Sequence, residues 1–180
     1  MYVHSFKDLQ HEVFRLHGQG AYREALALIE REAARFPDQA PTFYFWRACL
    51  ACLTDDADDG LRWLRAAADE GFWYHERMLN DPDLAALRED PRLEPLMDLF
   101  RERREAAQAL ARPVLYTYEP EGAPRGLLMA LHGAGSSFEQ EEERAPWTAA
   151  TAAGWRVALA QSSQVWAPGK YFWGDRDRAL

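Results

Sequence analysis

Apolar positions between residues 1 and 110 recur at helical spacing. Phe6, Leu9, Val13 and Leu16 fall at i, i+3, i+7 and i+10, one face of a helix that Gly18 and Gly20 end. Tyr22, Ala25, Leu26, Ile29, Ala33 and Phe36 mark a second stripe, closed by Pro37. Phe43, Trp46, Leu50 and Leu53 then repeat the first spacing. An acidic turn (Asp55, Asp56, Asp58, Asp59, Gly60) leads to Leu61, Leu64 and Ala68. Asp81-Pro82 and Asp90-Pro91 each suit a helix start, with Asp as cap and Pro at the first helical position. Leu93, Leu96, Met97 and Phe100 form the last stripe, continued by a charged run to Glu105.

The pattern changes near Ala111. Val114 to Tyr118 alternates and is rich in strand formers, and Glu119 to Pro124 reads as a turn or hairpin loop. Leu127 to Leu131 is an unbroken apolar run, which suits a strand buried on both faces of a parallel sheet. His132-Gly133-Ala134-Gly135-Ser136-Ser137 follows as a turn, and Phe138 to Glu143 as an acidic loop. Pro146 then opens a helix to about Ala153, with Trp147 and the alanines toward the sheet. Gly154 ends it, Trp155 to Ala160 is the next strand, and Gln161 to Gln164 is its loop. The tail from Val165 is aromatic and charged, and Asp175 to Leu180 reads as the start of another helix. Strand, glycine turn, helix, strand is the order of an α/β fold. The expected architecture is thus an all-α helical repeat over 1–111, then an incomplete α/β sheet over 112–180.

Two helix pairs in the first half share a period. Ala25, Ile29 and Ala33 match Gly60, Leu64 and Ala68 at an offset of 35, and the first helices match at 37. With Gly20-Ala21-Tyr22-Arg23-Glu24-Ala25 and Pro37, these units resemble tetratricopeptide (TPR) repeats, although the Trp and Leu-Gly pair usual in each first helix are absent. Residues 71–100 would cap the pair. The resemblance implies a face over residues 5–70 that binds a peptide or partner protein.

The chain of 180 residues carries a formal net charge of −8 and no dense Lys/Arg stripe, which argues against a nucleic-acid partner. No apolar run reaches the length of a membrane span, and the N-terminus lacks the pattern of a secretory signal. Cytoplasmic residence is the expectation. Cys49 and Cys52 fit C-x-x-C, but no second pair or nearby His completes a zinc set, and the motif lies inside a helical stripe, so packing explains it. The acidic turn fails as a calcium loop, with Ala57 and Ala66 where carboxylates are needed. His4, His11, His17 and His75 form no i, i+4 pair. No metal or organic cofactor is expected.

The glycine turn admits three readings. It has no Lys for a phosphate loop, and Phe138 stands where a dinucleotide fingerprint needs its third glycine. It does fit an oxyanion-hole turn, His-Gly-x-Gly after a buried strand, in which a backbone N–H faces developing negative charge. On Leu127 to Gly135, the helix through Ala153 and Val157 to Ser163, this half resembles the α/β-hydrolase superfamily, within it the phospholipase/carboxylesterase-like and dienelactone-hydrolase-like esterases. The resemblance implies that the turn of His132, Gly133, Ala134 and Gly135 supplies half an oxyanion hole through the Ala134 N–H. It implies a shaping role for His132, no nucleophile role for Ser136 or Ser137, and an acyl site lined by Trp166, Tyr171, Phe172 and Trp173. The substrate would be a small acyl ester. The family's G-x-S-x-G is absent, and no His follows His132. The reading is therefore the N-terminal part of a serine hydrolase, inactive alone. The alternative is a TPR-like interaction module with a vestigial α/β tail.

Overall fold

A computed structural model of the protein describes residues 4–175. The proposed helix start at 175–180 lies outside the described residues apart from Asp175, which is not helical. The chain divides into two compact units, one up to Arg101 and the other from Glu102 onward.

In the first unit, α1 (Phe6–Gly18), α2 (Tyr22–Glu32), α3 (Ala40–Leu53) and α4 (Ala57–Asp69) pack in succession, each on the next. Helix α1 opens on a cap. Ser5 Oγ accepts from the Asp8 N–H (3.2 Å) while Asp8 Oδ2 accepts from the Ser5 N–H (2.9 Å), a reciprocal cap that satisfies two otherwise orphaned donors. Leu9 and Val13 are buried below it. Helix α3 is buried on most sides, from Phe43 to Cys52, and is the centre of the unit. Helix α4 approaches it closely at Gly60, where a Cβ would lie 2.6 Å from Cys52 Sγ and 3.1 Å from the Ala48 carbonyl. Cys52 is thus a packing residue against a glycine.

The acidic stretch is only partly a turn. Asp56 caps α4 by accepting from the Asp59 N–H (2.9 Å), and Asp58 and Asp59 already lie in its first turn, where negative charge meets the positive end of the helix. Short α5 (Glu76–Leu79) and a 3-10 segment (Pro82–Leu87) follow, the latter capped by Asp81. At Asp90-Pro91 the chain makes only a turn. Asp90 accepts from the Arg92 N–H (2.8 Å), and α6 (Glu94–Leu110) begins four residues after Asp90, with Pro95 in its first turn.

The second unit holds a three-stranded sheet of β1 (Val114–Tyr118), β2 (Gly126–Leu131) and β3 (Trp155–Gln161), in the order β1-β3-β2. β2 runs parallel to β3 and β1 antiparallel to it, so the sheet is mixed where a parallel one was expected. β1 and β2 do not form a hairpin, because β3 lies between them. The apolar run of β2 is not buried on both faces. Leu128 and Ala130 join Val157, Leu159 and Phe138 in the core, whereas Leu127, Met129 and Leu131 are 55%, 61% and 58% exposed. Only the first face is covered among the described residues, by Phe138 and the helical segment through Ala150.

That segment is α7 (Glu141–Thr148), which starts five residues before the expected Pro146 and contains it, followed by a 3-10 stretch (Ala149–Ala153). Proline cannot donate to the carbonyl one turn back, which suits so short a helix. Trp147 points outward at 40% exposure, and Ala150 makes the expected core contact. The aromatic tail forms a hairpin, β4 (Gln164–Ala167) and β5 (Lys170–Phe172), joined by Pro168-Gly169 with Gly169 at φ +64°. Pro then Gly with positive φ is the chemistry of a type II turn.

Candidate functional site

The turn after β2 is held at His132, Ser137 and Phe138 by the end of β3 and its loop, and at Gly135 and Ser136 by Tyr171 of the hairpin. The Ser162 N–H donates to His132 Nε2 (3.1 Å), so the ring proton sits on Nδ1, which donates to the Gly133 carbonyl (2.9 Å). Both ring nitrogens are thereby engaged, and His132 is only 5% exposed. Trp173 tilts against the imidazole at 5.1 Å between centroids and donates its indole N–H to the His132 carbonyl (3.0 Å). Phe138 meets the same ring edge-on at 5.9 Å. His132 therefore shapes the turn.

Gln161, 2% exposed, accepts from the Phe138 N–H (2.6 Å) and the Ser137 hydroxyl (3.3 Å) and donates to the Ser162 carbonyl (2.9 Å). Ser137 also accepts from the Glu139 N–H (3.0 Å). The Ser162 hydroxyl donates to the Phe172 carbonyl (2.7 Å), and Gln164 holds the N–H groups of Gly174 and Asp175. Gln108 on α6 accepts from the Val165 N–H (3.1 Å) and donates to the Ser163 carbonyl (2.7 Å). The turn, the loop after β3 and the hairpin form one hydrogen-bonded body.

Along the turn, the donors divide into two groups. The Gly135 N–H donates to the Tyr171 carbonyl (2.8 Å) and the Ser136 N–H to the Gly133 carbonyl (3.1 Å). The N–H groups of Gly133 and Ala134 have no acceptor among the described residues, and both residues are exposed. Two adjacent N–H groups at the C-terminal end of a parallel strand are thus available to an outside acceptor. Glycine is conformationally required only at Gly135, which sits at φ +74°. A Cβ at Gly133 would meet open space.

The aromatic residues expected at the site lie around this turn. Trp166 reaches Gly135, 4.0 Å from where a Cβ would be, and packs edge-on against Phe172 at 5.4 Å. Tyr171 pairs its backbone with Ser136 and donates its hydroxyl to Glu139 (2.7 Å). Burial first, then that bond, pushes its pKa up to about 12. Gln161, Ser162, Gln164 and Gln108 are the supporting residues that sequence reasoning did not single out. A polar run at the end of a buried strand was the available signal for the first three, and Gln108 had none.

A small mixed sheet with its parallel pair flanked by a helical segment, and a glycine turn at the end of one parallel strand, is the arrangement of an incomplete α/β fold. The chain belongs to the A/B hydrolase-like, N-terminal domain family, whose model matches residues 5–108. The match thus falls on the helical half, while the sequence resemblance to hydrolases rested on the sheet half. The chain is also similar to the crystal structure of an uncharacterized protein from Bacillus cereus, with 20% identity and a TM-score of 0.56, across 97% of this chain and 56% of that one. That likeness shows the fold, and the chain spans little more than half of that protein's length. No curated protein matches. No helix among the described residues is long and apolar enough to cross a membrane.

Proposed function

We propose that these residues are the N-terminal portion of a serine hydrolase acting on carboxylic esters or related acyl substrates. Residues 1–111 would be a TPR-like helical domain and 112–180 the first part of the hydrolase domain. The observation that carries the reading is the pair of unengaged, exposed N–H groups at Gly133 and Ala134, beside two neighbours whose N–H groups are bonded. In acyl transfer, a serine oxygen attacks the ester carbonyl, and the carbonyl oxygen becomes an oxyanion. The Ala134 N–H donates to it, with a second donor from outside these residues.

The open edge of β2 supports the same reading. A further parallel strand joining there would end beside the turn, where a nucleophile must stand. Trp166 and Phe172 would line the acyl pocket, with Tyr171 and Trp173 bracing it from beneath. The nucleophile, acid and base would also lie outside these residues. The chemistry requires no metal or organic cofactor. A cytoplasmic location belongs to the proposal and is supported by two free thiols, Cys49 and Cys52. The test is labelling with a fluorophosphonate probe. Residues 1–180 alone should stay unlabelled, and a chain extended through G-x-S-x-G should label; an unlabelled extended chain overturns the assignment.

A second reading is favoured by one observation. Phe14 is 52% exposed on the helical unit, beside Trp46 at 5.4 Å. Such a face suits an apolar peptide side chain, as in a TPR-like interaction module with a non-catalytic tail. That module would leave every length of the chain unlabelled.

A further inference from the structure

The helical unit holds a cleft of about 190 Å³ whose wall is apolar and aromatic, with Val13, Phe45 and Trp46. Its other side is different. Cys49 Sγ and one carboxylate oxygen each from Asp81 and Asp83 lie within 4.8 Å of one another. Cys49 is 6% exposed, opens onto the cleft, and makes no side-chain hydrogen bond to another residue among those described. Asp83 Oδ2 lies 2.7 Å from His17 Nε2. Asp81 uses Oδ1 to accept from the Asp83 N–H (3.0 Å), which caps the 3-10 segment and holds both carboxylates in place.

A buried thiol that faces two carboxylates sets one sulfur and two oxygen donors around a common point. Thiolate and carboxylate together suit a borderline divalent ion better than calcium or magnesium, which prefer oxygen alone. Zinc bonds of about 2.0–2.3 Å place tetrahedral ligand atoms about 3.3–3.8 Å apart, so a modest inward rotation of these side chains brings them onto an ion. We propose that Cys49, Asp81 and Asp83 bind a zinc-class divalent ion, with the fourth position open to the cleft. His17 is a positioning residue that orients the Asp83 carboxylate. The thiol proton leaves to solvent as the sulfur–metal bond forms. Cys52 takes no part, since it packs on Gly60.

The test is titration of the purified protein with cobalt(II) as a spectroscopic probe, followed by zinc(II) competition. One equivalent of cobalt should give a thiolate-to-cobalt charge-transfer band that zinc abolishes. Cys49→Ser should remove the band and Cys52→Ser should keep it. His17→Gln should weaken binding about 10–100-fold while leaving the band's shape unchanged. Should Cys49→Ser fail to fold by circular dichroism, Asp81→Asn with Asp83→Asn decides, because asparagine keeps the capping acceptor but not the charge. Loss of binding in that variant supports the site. Absence of the band in the native protein, its persistence without Cys49, or undiminished affinity in the double Asn variant overturns it.

Discussion

His132→Ala is the perturbation that bears most directly on how the turn is built. The substitution removes the acceptor of the Ser162 N–H, a group on a residue only 2% exposed. An orphaned buried donor costs about 1–3 kcal/mol. The ring also leaves Trp173, at 5.1 Å, and Phe138, at 5.9 Å, without a partner. Aromatic pairs of this kind contribute about 0.5–1.5 kcal/mol each. Together these give an expected loss of about 2–6 kcal/mol, a large share of the stability of an ordinary domain. Two compact units need not unfold together, so a single melting temperature is a poor readout. Residue-resolved amide hydrogen exchange is the right assay. Ser162, Gly135 and Ser136 should lose protection while the amides of α3 keep theirs. His132→Gln, whose side-chain oxygen reaches the position of Nε2, should restore part of the Ser162 protection. An unchanged Ser162 amide in His132→Ala would refute the assigned tautomer and the shaping role.

Three further outcomes follow from the geometry. Gly135→Ala forces a side chain into a left-handed backbone at φ +74° and should cost about 1–2 kcal/mol by urea titration, whereas Gly133→Ala, whose Cβ faces open space, should leave the midpoint unmoved. Gly60→Ala should cost about 1–3 kcal/mol through overpacking on Cys52, and a double-mutant cycle with Cys52→Ala should show partial recovery, since the Ala48 carbonyl contact at 3.1 Å remains. The Tyr171 pKa is raised from 10.0 to about 12, so the fold favours the neutral phenol; its contribution is complete below pH 10 and is lost as pH rises toward 12. The alkaline stability profile of Tyr171→Phe should therefore be flatter over that window.

Much of the helical half was readable because each stripe is local. Leu9 and Val13 are a turn apart, so the face they share is legible without reference to anything distant. The position of the glycine turn was also legible, since an apolar run and a Gly-x-Gly are adjacent in sequence. The exposure of β2 was not. Leu127 to Leu131 are all apolar, so no alternation tells one face from the other, and burial depends on what lies across each. The order β1-β3-β2 was hidden for a similar reason, because pairing partners are separated by a whole helix. The hairpin around Pro168-Gly169 did carry a signal, a turn dipeptide between aromatic runs, which the reading of the tail passed over. The meeting of Cys49 with Asp81 and Asp83 joins residues more than thirty positions apart, and the C-x-x-C spacing drew attention to Cys52, the wrong neighbour.

The central claim is that the Ala134 N–H stabilises an oxyanion in a serine hydrolase whose nucleophile lies beyond these residues. Its most direct test is the rate of ester turnover, alongside fluorophosphonate labelling, by the chain extended through the nucleophile strand, compared with its Ala134→Pro variant, which lacks that N–H. The account predicts labelling and turnover in the extended chain, and turnover about 10²–10³-fold slower in the variant with its fold intact by circular dichroism. Equal turnover in the two proteins, or no labelling of the extended chain, would contradict it.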